Sequence, residues 1–103
     1  MDHLQEKTKK VLEGFKKIRN NKWTPEVMLA DLAEEVGELA NAILVKEGFK
    51  NKKRAKADLV DSICDALFDI YMIAEHYGVD VEKEYQKTLE QLKKRMKDGK
   101  FTG

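Results

Sequence analysis

The 103-residue sequence predicts an all-α fold, a four-helix bundle, and three observations carry that expectation. Apolar side chains recur at helical spacing through four segments. Pro25, Gly48 and Gly78 fall at segment boundaries, and no stretch keeps the strict alternation of a strand. Four amphipathic helices joined by short links bury their apolar stripes against one another most simply as a bundle.

The first segment, about residues 2–20, places Leu4, Val11, Leu12, Phe15 and Ile18 near helical spacing and ends at Asn20-Asn21, which predicts an amphipathic outer helix. Thr24-Pro25-Glu26 is a helix start: the threonine hydroxyl caps free N–H groups, proline suits the first turn, and glutamate favours the positive end of the dipole. The helix from there is expected over about 25–47, stopping at Gly48. The basic stretch FKNKKRAKA connects it to a third helix over about 56–77, ended by Gly78. Asp80 is a suitable N-cap for a fourth helix over about 81–97.

Length and composition predict one domain, residues 1–103. At 42% hydrophobic and 38% charged residues the chain has the composition of a folded helical protein rather than a disordered one. The 20 basic and 19 acidic residues leave a net charge of +1, so no bulk field favours nucleic acid or an anionic membrane. The start MDHLQEKTKK lacks the apolar stretch of a signal peptide, and no run is long enough to span a bilayer, which predicts a cytoplasmic protein. Cys64 is the single cysteine, which excludes an internal disulfide and any CxxC site. Set between apolar neighbours, it is expected in the core.

The acidic residues are distributed far from evenly. Asp31, Glu34, Glu35 and Glu38 follow one another at i, i+3, i+4 and i+7, one face of a helix. Asp58, Asp61, Asp65 and Asp69 make a second stripe on the third helix. Opposite these rows lie Leu29, Leu32, Ala33, Val36, Ala40 and Ile43 on one helix, and Leu59, Val60, Ile63, Leu67, Ile70 and Ala74 on the other. Windows 26–45 and 58–77 hold ten acidic residues and no lysine or arginine. Like charges at this spacing disfavour a helix by about 0.2–0.5 kcal/mol per pair. A solvated helix face normally relieves that by interleaving lysine, so uncompensated rows favour a cleft in which facing carboxylates share a divalent cation. Carboxylate oxygen suits Mg²⁺ or Mn²⁺. A diiron centre would need Glu-x-x-His pairs, and neither His3 nor His76 stands three residues after a glutamate. There is also no GxxxxGK[ST] phosphate loop.

These residues resemble a known family. LAEEVGELANAI carries the EExxE pattern of the MazG-like, all-α nucleoside triphosphate pyrophosphohydrolases, and the acidic third helix with its Gly78-Val79-Asp80 exit resembles their second motif, ExxD. The likeness covers about residues 23–97. It implies a four-helix bundle of the all-α NTP pyrophosphatase type. It also implies Mg²⁺-dependent hydrolysis of a nucleoside or deoxynucleoside triphosphate to monophosphate and pyrophosphate, and assembly as a homodimer or homotetramer.

Carried across residue by residue, the first motif is Glu34, Glu35 and Glu38, the implied catalytic carboxylates. The second falls on Asp61 and Asp65, although Ser62 stands three before Asp65, and Asp58 with Asp61 satisfies the acid-x-x-Asp spacing as an alternative. The implied metal set is Glu35, Glu38, Asp61 and Asp65, with Glu34 or a neighbouring carboxylate taking a proton from the attacking water. Phosphate charge would be met by Lys50, Lys52, Lys53 and Arg54 of the loop or by Lys94 and Arg95 of the last helix. Trp23, just before the capped start, either packs there or stacks on the base. A phosphoribosyl-ATP pyrophosphohydrolase-like enzyme is the neighbouring alternative, and a non-catalytic helical module whose acidic stripes dock basic partners is the other.

Overall fold

A computed structural model of the chain describes residues 3–18, 23–51 and 58–99. Within them run four helices, α1 Leu4–Ile18, α2 Pro25–Lys46, α3 Leu59–His76 and α4 Val81–Lys97, and no strand. The expected ends of α1 at residues 2 and 19–20, and the expected start of α3 at 56–57, lie outside the described residues.

Local chemistry sets the helix ends. Thr24 Oγ1 accepts from Val27 N at 3.3 Å, Asp58 Oδ1 from Asp61 N at 2.8 Å and Asp80 Oδ1 from Lys83 N at 3.2 Å, each side chain satisfying an N–H that the first turn leaves unpaired. Gly48 and Gly78 adopt φ +84° and +67°, the left-handed region that a glycine enters without a side-chain penalty. Behind them Phe49 N donates to Leu44 O at 2.8 Å and Val79 N to Ala74 O at 2.9 Å. These are the six-to-one closures of a Schellman end.

α2 and α3 form the main packed pair and run antiparallel, since Glu26 lies near His76, Asp31 near Asp69 and Glu35 near Asp65. α1 packs across their Trp23 end. There Leu12, Met28 and Met72 make a small core, with Trp23, Phe68 and Ile73 against it, and the Phe15 and Phe68 rings meet edge to face at 6.0 Å.

The stripes expected to form the core largely face outward. Leu29, Val36 and Ile43 of α2 and Val60, Ile63, Leu67 and Ile70 of α3 are all exposed, Val60 by 67%. Cys64, expected in the core, is exposed as well. It shares the outward stripe of α3 with Val60 and Leu67, so the orientation that turns the acidic rows inward turns this residue out. α4 has no buried residue and exposes Tyr85, Leu89, Leu92 and Met96. The radius of gyration, 17.0 Å, exceeds the value of about 13 Å usual for a compact chain of this length.

Gln5 joins α1 to the turn between α3 and α4. Its Nε2 donates to Glu75 Oε2 at 2.8 Å and to Val79 O at 2.7 Å, its Oε1 accepts from Val81 N at 2.8 Å, and its own N donates to Glu82 Oε1 at 3.2 Å. The side chain is 8% exposed, so partners orphaned by its loss are poorly reached by water. Gln5→Leu is expected to lower unfolding stability by about 2–3 kcal/mol, read from urea titrations, because a carbonyl, a carboxylate and an N–H lose their partner together.

Candidate metal centre and substrate cleft

α2 contributes Asp31, Glu35 and Glu38 from successive turns of one face, and antiparallel α3 sets Asp69 and Asp65 opposite them. Two groups of carboxylate oxygens result, Glu35 with Glu38 and Asp65, and Asp31 with Glu35 and Asp69. Within each group the oxygens lie within 4.8 Å of one another. Glu35 belongs to both. The donors are carboxylate oxygens throughout, with no thiol or imidazole, which fits a hard divalent cation.

The electrostatics show what this convergence costs the protein. Burial raises the Glu35 carboxyl, and the charges of Glu38, Asp65 and Asp31 raise it further. Asp69 is 5% exposed, and burial pushes its carboxyl up to about 8, reinforced by a hydrogen bond with Asp31 and by the charges of Asp31, Glu35 and Asp65. Glu35 Oε2 and Asp69 Oδ2 are buried without a hydrogen-bond partner. Buried, unpaired acceptors of this kind are uncommon in folded proteins, and a cation or a donor-bearing ligand satisfies them.

Both groups open onto a cleft of about 540 Å³, a size usual for small-ligand sites. Glu35 and Asp65 line one side, and Phe15, Ile18, Trp23 and Phe68 supply apolar walls. A neighbouring cleft of about 580 Å³, lined by Lys9, Lys16, Glu75 and His76, shares Trp23 and Met72 with it but none of the converging carboxylates.

Not every residue that the sequence singles out reaches this place. Glu35, Glu38 and Asp65 converge, and Trp23 lines the cleft. Asp61 does not join the groups: it stands in the first turn of α3, exposed, where its backbone N–H is held by the Asp58 cap. Asp58 is thereby engaged in capping. Asp31 and Asp69 meet instead on the far side of Glu35 and Asp65 from Asp61, one turn nearer Trp23. Glu34 is exposed and outside both groups. Lys94 and Arg95 are exposed on α4, away from the cleft lining. Lys52, Lys53 and Arg54 lie outside the described residues. Lys50 Nζ donates to Asn41 Oδ1 at 3.0 Å, one turn beyond Glu38. Ser62, at the place of the second motif's first acid, is wholly buried and its Oγ has no partner. Asp69 was open to discovery from sequence, since it continues the stripe of Asp61 and Asp65.

Comparison with known proteins shows the family and the fold. Residues 23–99 match the profile of the MazG nucleotide pyrophosphohydrolase domain. Over 78 residues the chain is 31% identical to an uncharacterized protein of Bacillus subtilis strain 168, YpjD, covering 74% of this chain and 70% of that one. The fold also superposes on a crystal structure of Bacillus subtilis YpjD, described there as a candidate pyrophosphatase. The TM-score is 0.73 at 26% identity, over 89% of this chain and 91% of the other.

The raised carboxyl of Asp69 makes metal-free stability depend on pH. The folded chain holds this proton up to about pH 8, whereas the unfolded chain releases it near 3.8. Between those values the folded state binds more protons, so stability falls as pH rises. In the presence of a chelator, the melting temperature is expected to drop by more than about 4 °C between pH 6 and pH 9. Asp69→Asn, which does not titrate, is expected to flatten that slope.

Proposed function

The chain belongs to the MazG nucleotide pyrophosphohydrolase family, and we propose that it hydrolyses nucleoside or deoxynucleoside triphosphates to the monophosphate and pyrophosphate, with Mg²⁺ held by Glu35, Glu38 and Asp65. The observation that carries this reading is the meeting of carboxylates from two helices whose facing stretches contain no lysine or arginine. A protein-docking face would present all its acids to solvent, whereas here Asp69 is buried, Asp31, Glu35 and Glu38 are half-buried, and of the two groups Asp65 alone is exposed. Mn²⁺ is an alternative occupant of the same oxygen site.

When bound, the cation supplies charge neutralisation at the phosphate oxygens and orients the nucleophile. The chain's own groups do the rest. Glu34 or a neighbouring carboxylate takes the proton from the attacking water. The water oxygen adds to phosphorus, the bridging phosphoanhydride P–O bond breaks, and pyrophosphate and monophosphate leave. Lys50, which bonds Asn41 one turn beyond Glu38, is a candidate to meet the departing negative charge. Lys53, Arg54, Lys94 and Arg95 are further candidates for this role, the last two by way of a neighbouring chain. The resulting activity suits removal of unwanted nucleotides from the cellular pool.

The same reading includes a homodimer or homotetramer. Outward apolar stripes on α2 and α3 and an entirely exposed α4 leave more apolar surface open than a lone soluble chain usually keeps. No described helix is long and apolar enough to cross a membrane.

With Mg²⁺ and a panel of nucleoside triphosphates, pyrophosphate rather than orthophosphate is the expected product. Glu38→Gln is expected to reduce turnover by about 100-fold or more while leaving the helical circular dichroism signal unchanged. Orthophosphate release, or full activity of that variant, would exclude the assignment. Light scattering coupled to size exclusion is expected to give a mass at least twice that of the chain, and Ile63→Glu to shift it to the monomer with loss of activity.

A further inference from the structure

The inward side chains of α2 and α3 interleave in a fixed order, and the order runs past the carboxylates to a hydroxyl. Asp69 meets Asp31 and Glu35, and one turn away Asp65 meets Glu35 and Glu38. Each of these α3 residues thus stands between two successive inward residues of antiparallel α2. Ser62, three residues before Asp65, is the next inward position of α3 and is wholly buried. The same order sets it between Glu38 and Ala42, itself buried. Of these two side chains only Glu38 carries a hydrogen-bond acceptor.

Ser62 Oγ has no hydrogen-bond partner. A hydroxyl inside a helix can satisfy itself on the carbonyl four residues back. Thr8 Oγ1 does so on Leu4 O at 2.8 Å and Thr88 Oγ1 on Glu84 O at 3.2 Å. Ser62 makes no such bond, and Asp58 O receives only its backbone N–H, at 3.0 Å. A buried hydroxyl without a partner destabilises a fold, and alanine would fill the same space without that cost. Stability alone therefore favours alanine at this seat, unless the hydroxyl gains a partner in another state of the site.

We propose that Ser62 is a positioning residue for the cation site: its hydroxyl donates to the Glu38 carboxylate and fixes that side chain as a metal ligand. This step rests on the reading that Glu35, Glu38 and Asp65 hold the divalent cation. Glu38 gives one oxygen to the converging group, and its carboxylate has a second to accept from a donor. Carboxylates that ligate a metal are in turn hydrogen-bonded, and such bonds orient them. Glu38 is long and half-buried and can move, whereas Ser62 is short and fully enclosed. The hydroxyl is the fixed post, and the glutamate comes to rest against it.

Mn²⁺ binding to the whole chain without substrate, followed by electron paramagnetic resonance, tests the assignment. Ser62→Ala is expected to weaken Mn²⁺ binding by about tenfold or more, while the metal-free melting temperature stays level or rises. The Mg²⁺ concentration for half-maximal pyrophosphate release is expected to rise in step, with kcat at saturating Mg²⁺ changed by less than about threefold. In a Glu38→Ala background, Ser62→Ala is expected to make no further difference to Mn²⁺ binding, because the hydroxyl acts through that carboxylate. A serine that merely fills space between the helices would show none of these effects. Unchanged Mn²⁺ affinity in Ser62→Ala, additive losses in the double variant, or a lowered metal-free melting temperature would overturn the inference while leaving the triphosphatase reading intact. Weakened, non-additive Mn²⁺ binding with no pyrophosphate from any nucleoside triphosphate would overturn the triphosphatase reading and keep the role of Ser62.

Discussion

The like-charge contact between α2 and α3 is the constraint on which the rest of the structure depends. Asp31, Glu35 and Glu38 face Asp65 and Asp69 without a lysine or arginine in either helix stretch. Two helices brought together on such faces resist one another, and the resistance registers in the raised carboxyls of Glu35 and Asp69. Association at this seam is carried by what borders it: the Leu12, Met28 and Met72 core at one end and half-buried residues such as Leu32 and Phe68 along it. A helix has a limited circumference, so giving the inward arc to carboxylates sends much of the apolar arc outward. The acidic cleft, the uncovered stripes and the exposed α4 are consequences of one rotational choice.

That choice also separates what the sequence makes legible from what it does not. Helix starts and stops were readable because capping is local: Thr24, Asp58 and Asp80 bond to N–H groups three residues on, and Gly48 and Gly78 close the turns behind them. The convergence of Glu35, Glu38 and Asp65 was readable from helical spacing and family resemblance together. Asp61 and Asp69 share a stripe, and spacing alone does not say which of them meets α2. The antiparallel offset sets Asp69 opposite Asp31, while Asp61 stands outside both groups of converging oxygens. Cys64 was misplaced for a related reason, since apolar neighbours imply burial only when the apolar face is the inward one.

Gln5 was invisible for a different reason. Its partners Glu75 and Val79 lie 70 and 74 residues away along the chain, and a glutamine in an exposed-looking, lysine-rich segment gives no periodic signal. A single amide with two donors and one strong acceptor can satisfy a helix end, a carbonyl and a carboxylate at once only after the fold has brought them together. Residues that act in this way are determined by topology, and pattern reading on one chain does not reach them.

α1 lies before the stretch that matches the family profile, residues 23–99, yet its Phe15 and Ile18 help wall the cleft and Gln5 anchors it. The converging carboxylates therefore lie on one pair of helices and part of the cleft wall on a third. Such a division lets evolution reshape the cleft by altering a peripheral helix, without disturbing the paired carboxylates. It gives a small scaffold the capacity to vary its cleft wall while the acidic seam stays fixed.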